Sequence, residues 1–212
     1  MNVITRHCRI QHNTLLSQGK VIFQDRSASL DSFLNSAIRA LGMGYPKYYK
    51  TDPMCKLGLL GAEMLFKSFN PVTHYGAESV GLVLSNTHAS LDTDLRYFET
   101  MRTMASPALF VYTLTNIVMG EICIRYGIKG ENAFFVLPAF EPELLAGYID
   151  TMMALEKNKA CLAGWIDVMG DHHDVFLYLV EKKTEGQDAL SHTPEQLKKL
   201  YQAEYGTVDD RS

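Results

Sequence analysis

The sequence has no excess of basic residues and no long apolar run. Its 212 residues include 20 Lys and Arg against 24 Asp and Glu, so the formal net charge is -4. This balance lacks the basic surface that nucleic-acid binding usually needs. No apolar stretch approaches the roughly 18 residues of a membrane span, and the first residues lack the apolar core of a signal peptide. We therefore expect a cytoplasmic protein with no nucleic-acid partner and no membrane span.

The sequence also lacks a cysteine framework. Cys8, Cys55, Cys123 and Cys161 lie far apart, and none belongs to a C-x-x-C pair. We expect reduced, mostly buried thiols. Hydrophobic residues make up 47% of the chain and charged residues 21%, which is the composition of a globular domain and not of a disordered one.

From about residue 52 onward, continuous apolar segments alternate with helical patterns. Strands are predicted at Ser79–Ser85, Ala133–Leu137, Ala160–Val168 and Asp174–Lys183. Continuous apolar strands are typical of positions buried on both faces of a parallel sheet. The last two strands are separated by only a few residues, which favours an antiparallel hairpin. The pattern therefore predicts an α/β domain with a mostly parallel sheet.

One predicted helix, Leu144–Leu155, carries more apolar side chains than one buried face needs. Each such side chain contributes about 1.5–3 kcal/mol when it is buried, so we expect a second surface to cover this helix. Two covers stay open at this point: a partner protein, or the tail or N-terminal segment of the same chain. The candidate partner-facing residues are Leu144, Leu145, Tyr148, Ile149, Met152 and Met153.

The segment SPALFVYTLTNIVMGEICIRYGIKGEN resembles the β-ketoacyl synthase family, which has the thiolase fold. In that family a Ser-Pro pair precedes a Thr-x-x-Asn-x-x-x-Gly helix, and a glycine-rich turn then leads into the strand that carries the nucleophile. Nine residues match this pattern at its spacing: Ser106, Pro107, Thr113, Asn116, Gly120, Arg125, Gly127, Gly130 and Asn132.

The resemblance covers roughly residues 1–183, weakly before Tyr45, and implies one half of a two-part fold. It implies a thiolase-like half: a three-layer α/β/α domain with a mixed, mostly parallel five-stranded sheet whose last strand is antiparallel. We expect residues 1–183 to form this single domain. Residues 184–212 are expected to form a polar tail with a short helix near Pro194–Tyr205.

The resemblance fails at the catalytic position. The family's nucleophilic cysteine would lie seven residues after Asn132, where this sequence has Ala139. Alanine cannot carry an acyl group, and Glu141 and Glu143 add negative charge where a thiolate and an oxyanion would form. The family's two active-site histidines come from its C-terminal half. We therefore expect no catalytic residue, no cofactor and no condensing activity of this chain alone.

Two other polar clusters are candidate sites. Asp171-His172-His173-Asp174 has metal-ligand residue types, but it falls in a predicted hairpin turn, where polar residues are common. His88 with Asp92 and Asp94 follows a predicted strand, where α/β sites often form. A solvated turn or loop explains each cluster more simply, so no metal site is predicted.

Three functions stay open. The first is a ketosynthase-like protein of bacterial fatty-acid or polyketide-type biosynthesis that acts as a partner subunit or scaffold. It would form a homodimer or a heterodimer with a complete ketosynthase, and acyl carrier protein is a possible further partner. The alternative is an acyl-binding protein or acyltransferase-type enzyme with a remodelled pocket at Ala139, near Ser85, His88 and Asp92. In the family the nucleophile lies where a strand turns into a helix, and we call the corresponding turn around Ala139 the elbow. The third is a degenerating half-gene without function.

Overall fold

The computed structural model describes residues 1–155, 157–184 and 189–203. Within these residues eight strands form one sheet. The strands are β1 (Asn2–Gln11), β2 (Thr14–Ser17), β3 (Lys20–Gln24), β4 (Val80–Asn86), β5 (Asn132–Val136), β6 (Ala160–Met169), β7 (His172–Lys182) and β8 (Leu190–Ser191). Their order across the sheet is β3-β2-β1-β7-β6-β4-β5, and β8 pairs with β1.

Eight α-helices accompany the sheet in the described residues. They are α1 (Leu30–Leu41), α2 (Pro53–Phe66), α3 (Pro71–Tyr75), α4 (Leu91–Thr100), α5 (Pro107–Phe110), α6 (Ile117–Tyr126), α7 (Pro142–Ala154) and α8 (Pro194–Gln202). No single helix of this part of the chain is long and apolar enough to cross a membrane. Only Pro107–Thr113 and Ile117–Tyr126 counted together, bent by 100°, reach that length and composition.

The prediction of a mostly parallel, five-stranded sheet was wrong. Parallel pairing is confined to β4, which lies between β5 and β6, and the other pairings are antiparallel. The difference comes from residues 2–24, which form a three-stranded antiparallel meander beside β7. Its two turns are only two residues long, and His12, Asn13, Gln18 and Gly19 adopt the positive φ angles that such tight hairpins require.

Helices cover both faces of the sheet and give three layers. On one face α1, α2 and α6 pack on a core that includes Leu82 and Leu84. On the other face α7 and α8 pack on a core that includes Val83 and Trp165. Because Leu82, Val83 and Leu84 alternate between the two cores, β4 is buried on both faces, as its continuous apolar sequence predicts.

The described part of the C-terminal segment packs against the domain. Strand β8 pairs with β1, and Leu197 and Leu200 of α8 are buried in the same core as α7. The chain's own tail therefore covers one flank of α7, which is one of the two covers that the sequence left open. The rest of the predicted tail, residues 185–188 and 204–212, lies outside the described residues.

Candidate functional site

The position of the missing nucleophile lies between β5 and α7. Helix α7 begins with Pro142, and its N-cap residue, Glu141, makes no side-chain capping hydrogen bond. Ala139 lies just before this helix start, exposed to solvent. A methyl group at this elbow offers no nucleophile, acid or base.

A cavity of about 520 Å³ opens at the elbow. Three aromatic rings line it: the Phe140 ring lies 4.5 Å from the Tyr201 ring and 6.4 Å from the Trp165 ring, measured between ring centres. Helix α8 supplies one wall and the start of α7 supplies another. The other lining residues are Thr87, Pro138, Ala139, Glu141, Pro142, Glu143, Lys198 and Gln202.

None of the four cysteines has the character of a nucleophile. Burial is the largest cause that raises the pKa of each thiol, to about 12 for Cys8 and above the ordinary value for Cys55, Cys123 and Cys161. A raised thiol pKa keeps sulfur protonated at neutral pH, which is opposite to what thiolate catalysis needs.

Several residues of the family motif shape the backbone. Ser106 caps α5 by accepting a hydrogen bond from the Leu109 N–H at 3.3 Å, and Pro107 is the first residue of that helix. Gly127 ends α6 with a left-handed φ of 76°. At Gly130 a Cβ would lie 2.3 Å from the Val80 carbonyl oxygen, so only glycine fits against the start of β4.

Two further motif residues make contacts within the chain. The Thr113 hydroxyl donates to the Phe110 carbonyl at 2.7 Å, and the Thr113 carbonyl accepts from the Ser90 hydroxyl at 2.9 Å. Arg125 lies 3.8 Å from the Glu63 carboxylate. These contacts hold the segment before α4 and the end of α6 in place.

The remaining motif residues line an open groove. Asn116, Gly120, Gly130 and Asn132 border a space of about 330 Å³ between α6 and the start of β5. Around the Cβ position of Gly120 no atom of the described chain lies within 4 Å, apart from its own helix backbone and chain neighbours. The Asn116 side chain is exposed and does not cap α6. The groove therefore has room for atoms that the chain itself does not supply.

Strand β5 lies at the edge of the sheet, beside this groove. Among the described strands it pairs only with β4. Its sequence, NAFFV, predicts a buried strand, yet Ala133, Phe134 and Phe135 are half-buried and Val136 is 54% exposed. On α6 nearby in the chain, Ile124 is 67% exposed. An apolar edge strand with open backbone groups is a template for pairing with another chain.

The six candidate partner-facing residues of α7 divide into two sets. Leu145, Ile149, Met152 and Met153 are buried within the chain. Leu144 and Tyr148 are exposed, together with Leu155 just after the helix. The Tyr148 ring lies 5.1 Å from the Phe135 ring, so the exposed stripe of α7 joins the half-buried face of β5.

A second apolar surface covers residues 91–114. Its charged side chains pair with each other, since Arg96 binds Asp92 at 2.8 Å and Arg102 lies 3.1 Å from Glu99. The apolar side chains between them are exposed: Leu91, Leu95, Phe98, Met101, Met104, Phe110, Val111 and Leu114. Apolar patches of this kind commonly mark interaction sites on soluble proteins.

His88 contacts Asp167, a residue that the sequence analysis did not identify as part of a site. Its Nδ1 lies 2.8 Å from Asp167 Oδ2, and the N–H groups of Thr87 and His88 each donate to Asp167 Oδ1 at 3.0 Å. Asp167 thereby holds the loop after β4 in place. The available signal was an acid inside the otherwise apolar strand β6, because a buried carboxylate needs partners.

The residues predicted beside His88 have other partners. Asp92 accepts a hydrogen bond from the Gly170 N–H at 2.8 Å, and Asp94 Oδ2 lies 3.2 Å from the Ser90 hydroxyl oxygen. The Ser85 hydroxyl is buried and donates to the Gly164 carbonyl at 3.2 Å. None of these three lines the elbow cavity.

The Asp171–Asp174 cluster is also divided between separate roles. Asp171 accepts a hydrogen bond from the Leu30 N–H at the start of α1. Asp174 lies 3.0 Å from Arg9. In the chain as described, no three or more His, Cys, Asp or Glu side chains converge on a possible metal position.

Neither a protein-family model nor a curated protein matches this sequence. Solved structures match it in fold. The ishigamide ketosynthase/chain length factor matches with a TM-score of 0.59 and 16% identity, over 89% of this chain and 63% of that chain. The ketosynthase ApeO in complex with its chain length factor ApeC, from Xenorhabdus doucetiae, matches with a TM-score of 0.57 and 10% identity, over 94% of this chain and 90% of that chain.

A β-ketoacyl synthase from Burkholderia phymatum STM815 also matches, with a TM-score of 0.59 and 10% identity, over 86% of this chain and 59% of that chain. The present chain thus spans less than two-thirds of the length of the first and third of these structures. The likeness confirms the fold that the motif predicted: the chain has a ketosynthase-like thiolase fold.

Proposed function

We propose that this chain is a partner subunit of a ketosynthase in bacterial acyl-chain biosynthesis of the fatty-acid or polyketide type, without condensing activity of its own. One observation carries the proposal: the apolar edge strand β5 and the open groove beside it lack a cover within the described chain. Two of the structures with this fold contain a ketosynthase together with a chain length factor, which supports such a pairing.

The chemistry of the elbow supports a non-catalytic role. Condensation by this fold needs a thiolate at the elbow, and this chain has Ala139 there. Cys8, Cys55 and Cys161 are buried and Cys123 is half-buried, and burial raises the pKa of all four thiols. The elbow therefore offers no thiolate that could take up an acyl chain from a thioester.

The surface around β5 supports a partner role. The exposed backbone edge of β5, the Gly120 groove and the outward residues Leu144 and Tyr148 of α7 lie along one border of the sheet. Pairing of a second strand with β5 would satisfy its open backbone groups and bury Val136. The partner is a complete ketosynthase or a second copy of this chain. The exposed surface of residues 91–114 offers it further apolar area.

Light scattering after size exclusion tests the pairing. The chain has a mass of 23.8 kDa, so a homodimer and a heterodimer with a complete ketosynthase from the same genome are both resolved from the monomer. Gly120→Lys places a long charged side chain in the groove, and its Cβ would have no atom of the described chain within 4 Å outside its own helix backbone and chain neighbours. We expect this variant to fold and to lose the complex.

Ala40→Lys is the matched control, because Ala40 is exposed on α1, which packs near β3 at the opposite edge of the sheet. This variant should keep the complex. A monomer that binds no ketosynthase, or a complex that Gly120→Lys leaves intact, would contradict the proposed interface.

The elbow cavity favours one second candidate, an acyl-binding role. Its aromatic lining suits an apolar chain, and acyl carrier protein is the partner that would deliver one. Mass spectrometry after incubation with acyl-CoA or acyl carrier protein detects covalent transfer of an acyl group to the chain, which neither candidate predicts. We expect no covalent acyl adduct, because no cysteine lines the cavity, the Thr87 hydroxyl donates to the Leu137 carbonyl at 2.8 Å, and the Tyr201 hydroxyl donates to Asp174. An adduct would overturn the non-catalytic assignment.

A further inference from the structure

Helix α8 forms one wall of the elbow cavity. Lys198, Tyr201 and Gln202 of this helix line the cavity together with Trp165 and the residues around Ala139. If α8 left the sheet, the cavity would open along that whole side. The attachment of α8 therefore controls access to the elbow.

Helix α8 cannot persist without its contacts. It has nine residues, and isolated helices shorter than about 12–15 residues are marginal in water. Leu197 and Leu200 bury its inner side against the core that contains α7, whereas Glu195, Lys198 and Lys199 face solvent. Docking and helix formation are thus one event, and the contacts at its two ends set the strength of docking.

The C-terminal end of α8 has a firm anchor. The Tyr201 hydroxyl donates to Asp174 Oδ2 at 2.5 Å. The Arg9 guanidinium lies 4.4 Å from the centre of the Tyr201 ring and 3.0 Å from Asp174 Oδ1. This anchor combines an ion pair, a charge-assisted hydrogen bond and a cation–π contact.

The N-terminal end is held by a buried histidine. The His192 N–H donates to the Asn2 carbonyl at 3.3 Å, and His192 Nδ1 lies 2.9 Å from Asp150 Oδ1 on α7. Its ring lies 5.9 Å from the Tyr178 ring. His192 Nε2 is buried and finds no hydrogen-bond partner among the described residues.

The charges around His192 come from few groups. Asp150 on α7 is half-exposed, and its carboxylate is also bound by the Asn2 side chain at 2.7 Å. On the sheet side lie Tyr178 of β7 and its register partner on β1, His7, whose Nδ1 is also buried without a partner. Among the described residues, no acceptor therefore forms a hydrogen bond with His192 Nε2.

The direction of the proton effect follows from this geometry. Burial is the largest cause that lowers the pKa of His192 below 6.5, and the Asp150 carboxylate offsets this only in part. Once α8 is released, His192 is solvated and regains an ordinary pKa. Above pH 6.5 the ring is neutral in both forms. As the pH falls below that value, the proton binds preferentially to the released form.

We propose that α8 is an acid-released strap: it closes the elbow cavity at neutral pH, and protonation of His192 detaches it from the sheet. The strap adds regulation to the cavity and does not depend on the partner-subunit proposal. A protein that fails to bind a ketosynthase can still show acid release, and the reverse also holds.

Hydrogen exchange at pH 7.5 and pH 5.5 tests this directly, with rates converted to protection factors. Because pH 5.5 lies one unit below the ordinary histidine pKa, we expect protection of the Leu197–Tyr201 amides to fall by up to about tenfold. Amides of β6 and β7 should stay better protected than those of α8 at both pH values, because they exchange only when the whole domain unfolds. Trp165 is the only tryptophan and lines the cavity, so acrylamide should quench its fluorescence more strongly at pH 5.5.

Two variants separate the proton effect from packing. His192→Asn keeps a donor toward Asp150 but does not titrate, so its α8 protection should not depend on pH. Asp150→Asn removes the charge that favours a protonated ring and should enlarge the fall in protection. His172→Asn is the control, because His172 is exposed at the start of β7, and it should behave like the wild type.

Wild-type protection that stays constant between the two pH values would overturn the proposal. The same conclusion follows if His192→Asn keeps the full pH dependence of α8 protection, or if α8 is as well protected as β6 and β7, because α8 would then open only together with the whole domain.

Discussion

Two glycines of the same motif should respond to alanine in opposite ways. At Gly130 a Cβ would lie 2.3 Å from the Val80 carbonyl oxygen and 2.7 Å from the carbonyl carbon, and both atoms belong to the backbone of β4. A side chain cannot rotate out of this contact, so β4 or the turn before β5 has to move. At Gly120 on α6 the same atom meets open space.

The magnitudes follow from these contacts. Overpacking of this kind costs about 1–3 kcal/mol or more, so Gly130→Ala should lower the free energy of unfolding by at least about 2 kcal/mol. Gly120→Ala should raise it by up to about 1 kcal/mol, because alanine is the better helix former. For a domain of this size, about 2–4 °C of Tm corresponds to each kcal/mol.

Urea unfolding and thermal unfolding of both variants measure the difference. We expect Gly130→Ala to lower the Tm by about 4 °C or more and Gly120→Ala to raise it slightly. Equal destabilisation by the two variants would refute the reasoning, because it would mean that Gly120 is also packed against the chain. That result would remove the open groove on which the proposed interface depends.

Three further predictions concern buried charges and protons. Lys47→Met should cost about 3 kcal/mol in urea unfolding, because it leaves the buried Glu121 carboxylate, 2.8 Å from Lys47 Nζ, without its ion-pair partner; adding Glu121→Leu should recover most of the loss, and failure to recover would refute this reading. Burial lowers the pKa of His7 to about 4, so stability should be full above about pH 6.5 and fall by up to about 3 kcal/mol toward pH 4; a His7→Gln variant with the same pH slope would contradict this. Asp167→Ala should speed hydrogen exchange of the Thr87 and His88 amides, which Asp167 accepts at 3.0 Å, and unchanged exchange there would show that the carboxylate does not hold the loop.

Local signals in the sequence are enough to predict several of the elements after residue 52. Asp52 before Pro53 marks the start of α2, and the structure confirms that its carboxylate accepts the Cys55 N–H at 2.9 Å. Gly127 marks the end of α6. The short gap between β6 and β7 predicts their antiparallel pairing, which the register confirms. These features depend on neighbouring residues, so the sequence shows them directly.

Features that depend on distant residues were harder to predict. The meander of residues 2–24 turns at His12-Asn13 and Gln18-Gly19, which are weaker turn signals than Asn-Gly or Asp-Gly. The apolar sequence of β5 predicts a strand that is buried inside the sheet. In the structure the order of the strands places β5 at the sheet edge. The contact between His88 and Asp167 joins residues 79 positions apart, and no local sequence pattern predicts it.

The most direct test of the partner role is a hydrogen-exchange footprint of the chain mixed with a complete ketosynthase from the same genome. If β5 and α6 form the interface, we expect amides of Asn132–Val136 in β5 and of α6 around Gly120 to become protected and those of α1 to stay unchanged. Protection confined to other elements, with β5 exchanging as it does in the free chain, would contradict the proposed interface at β5 and α6.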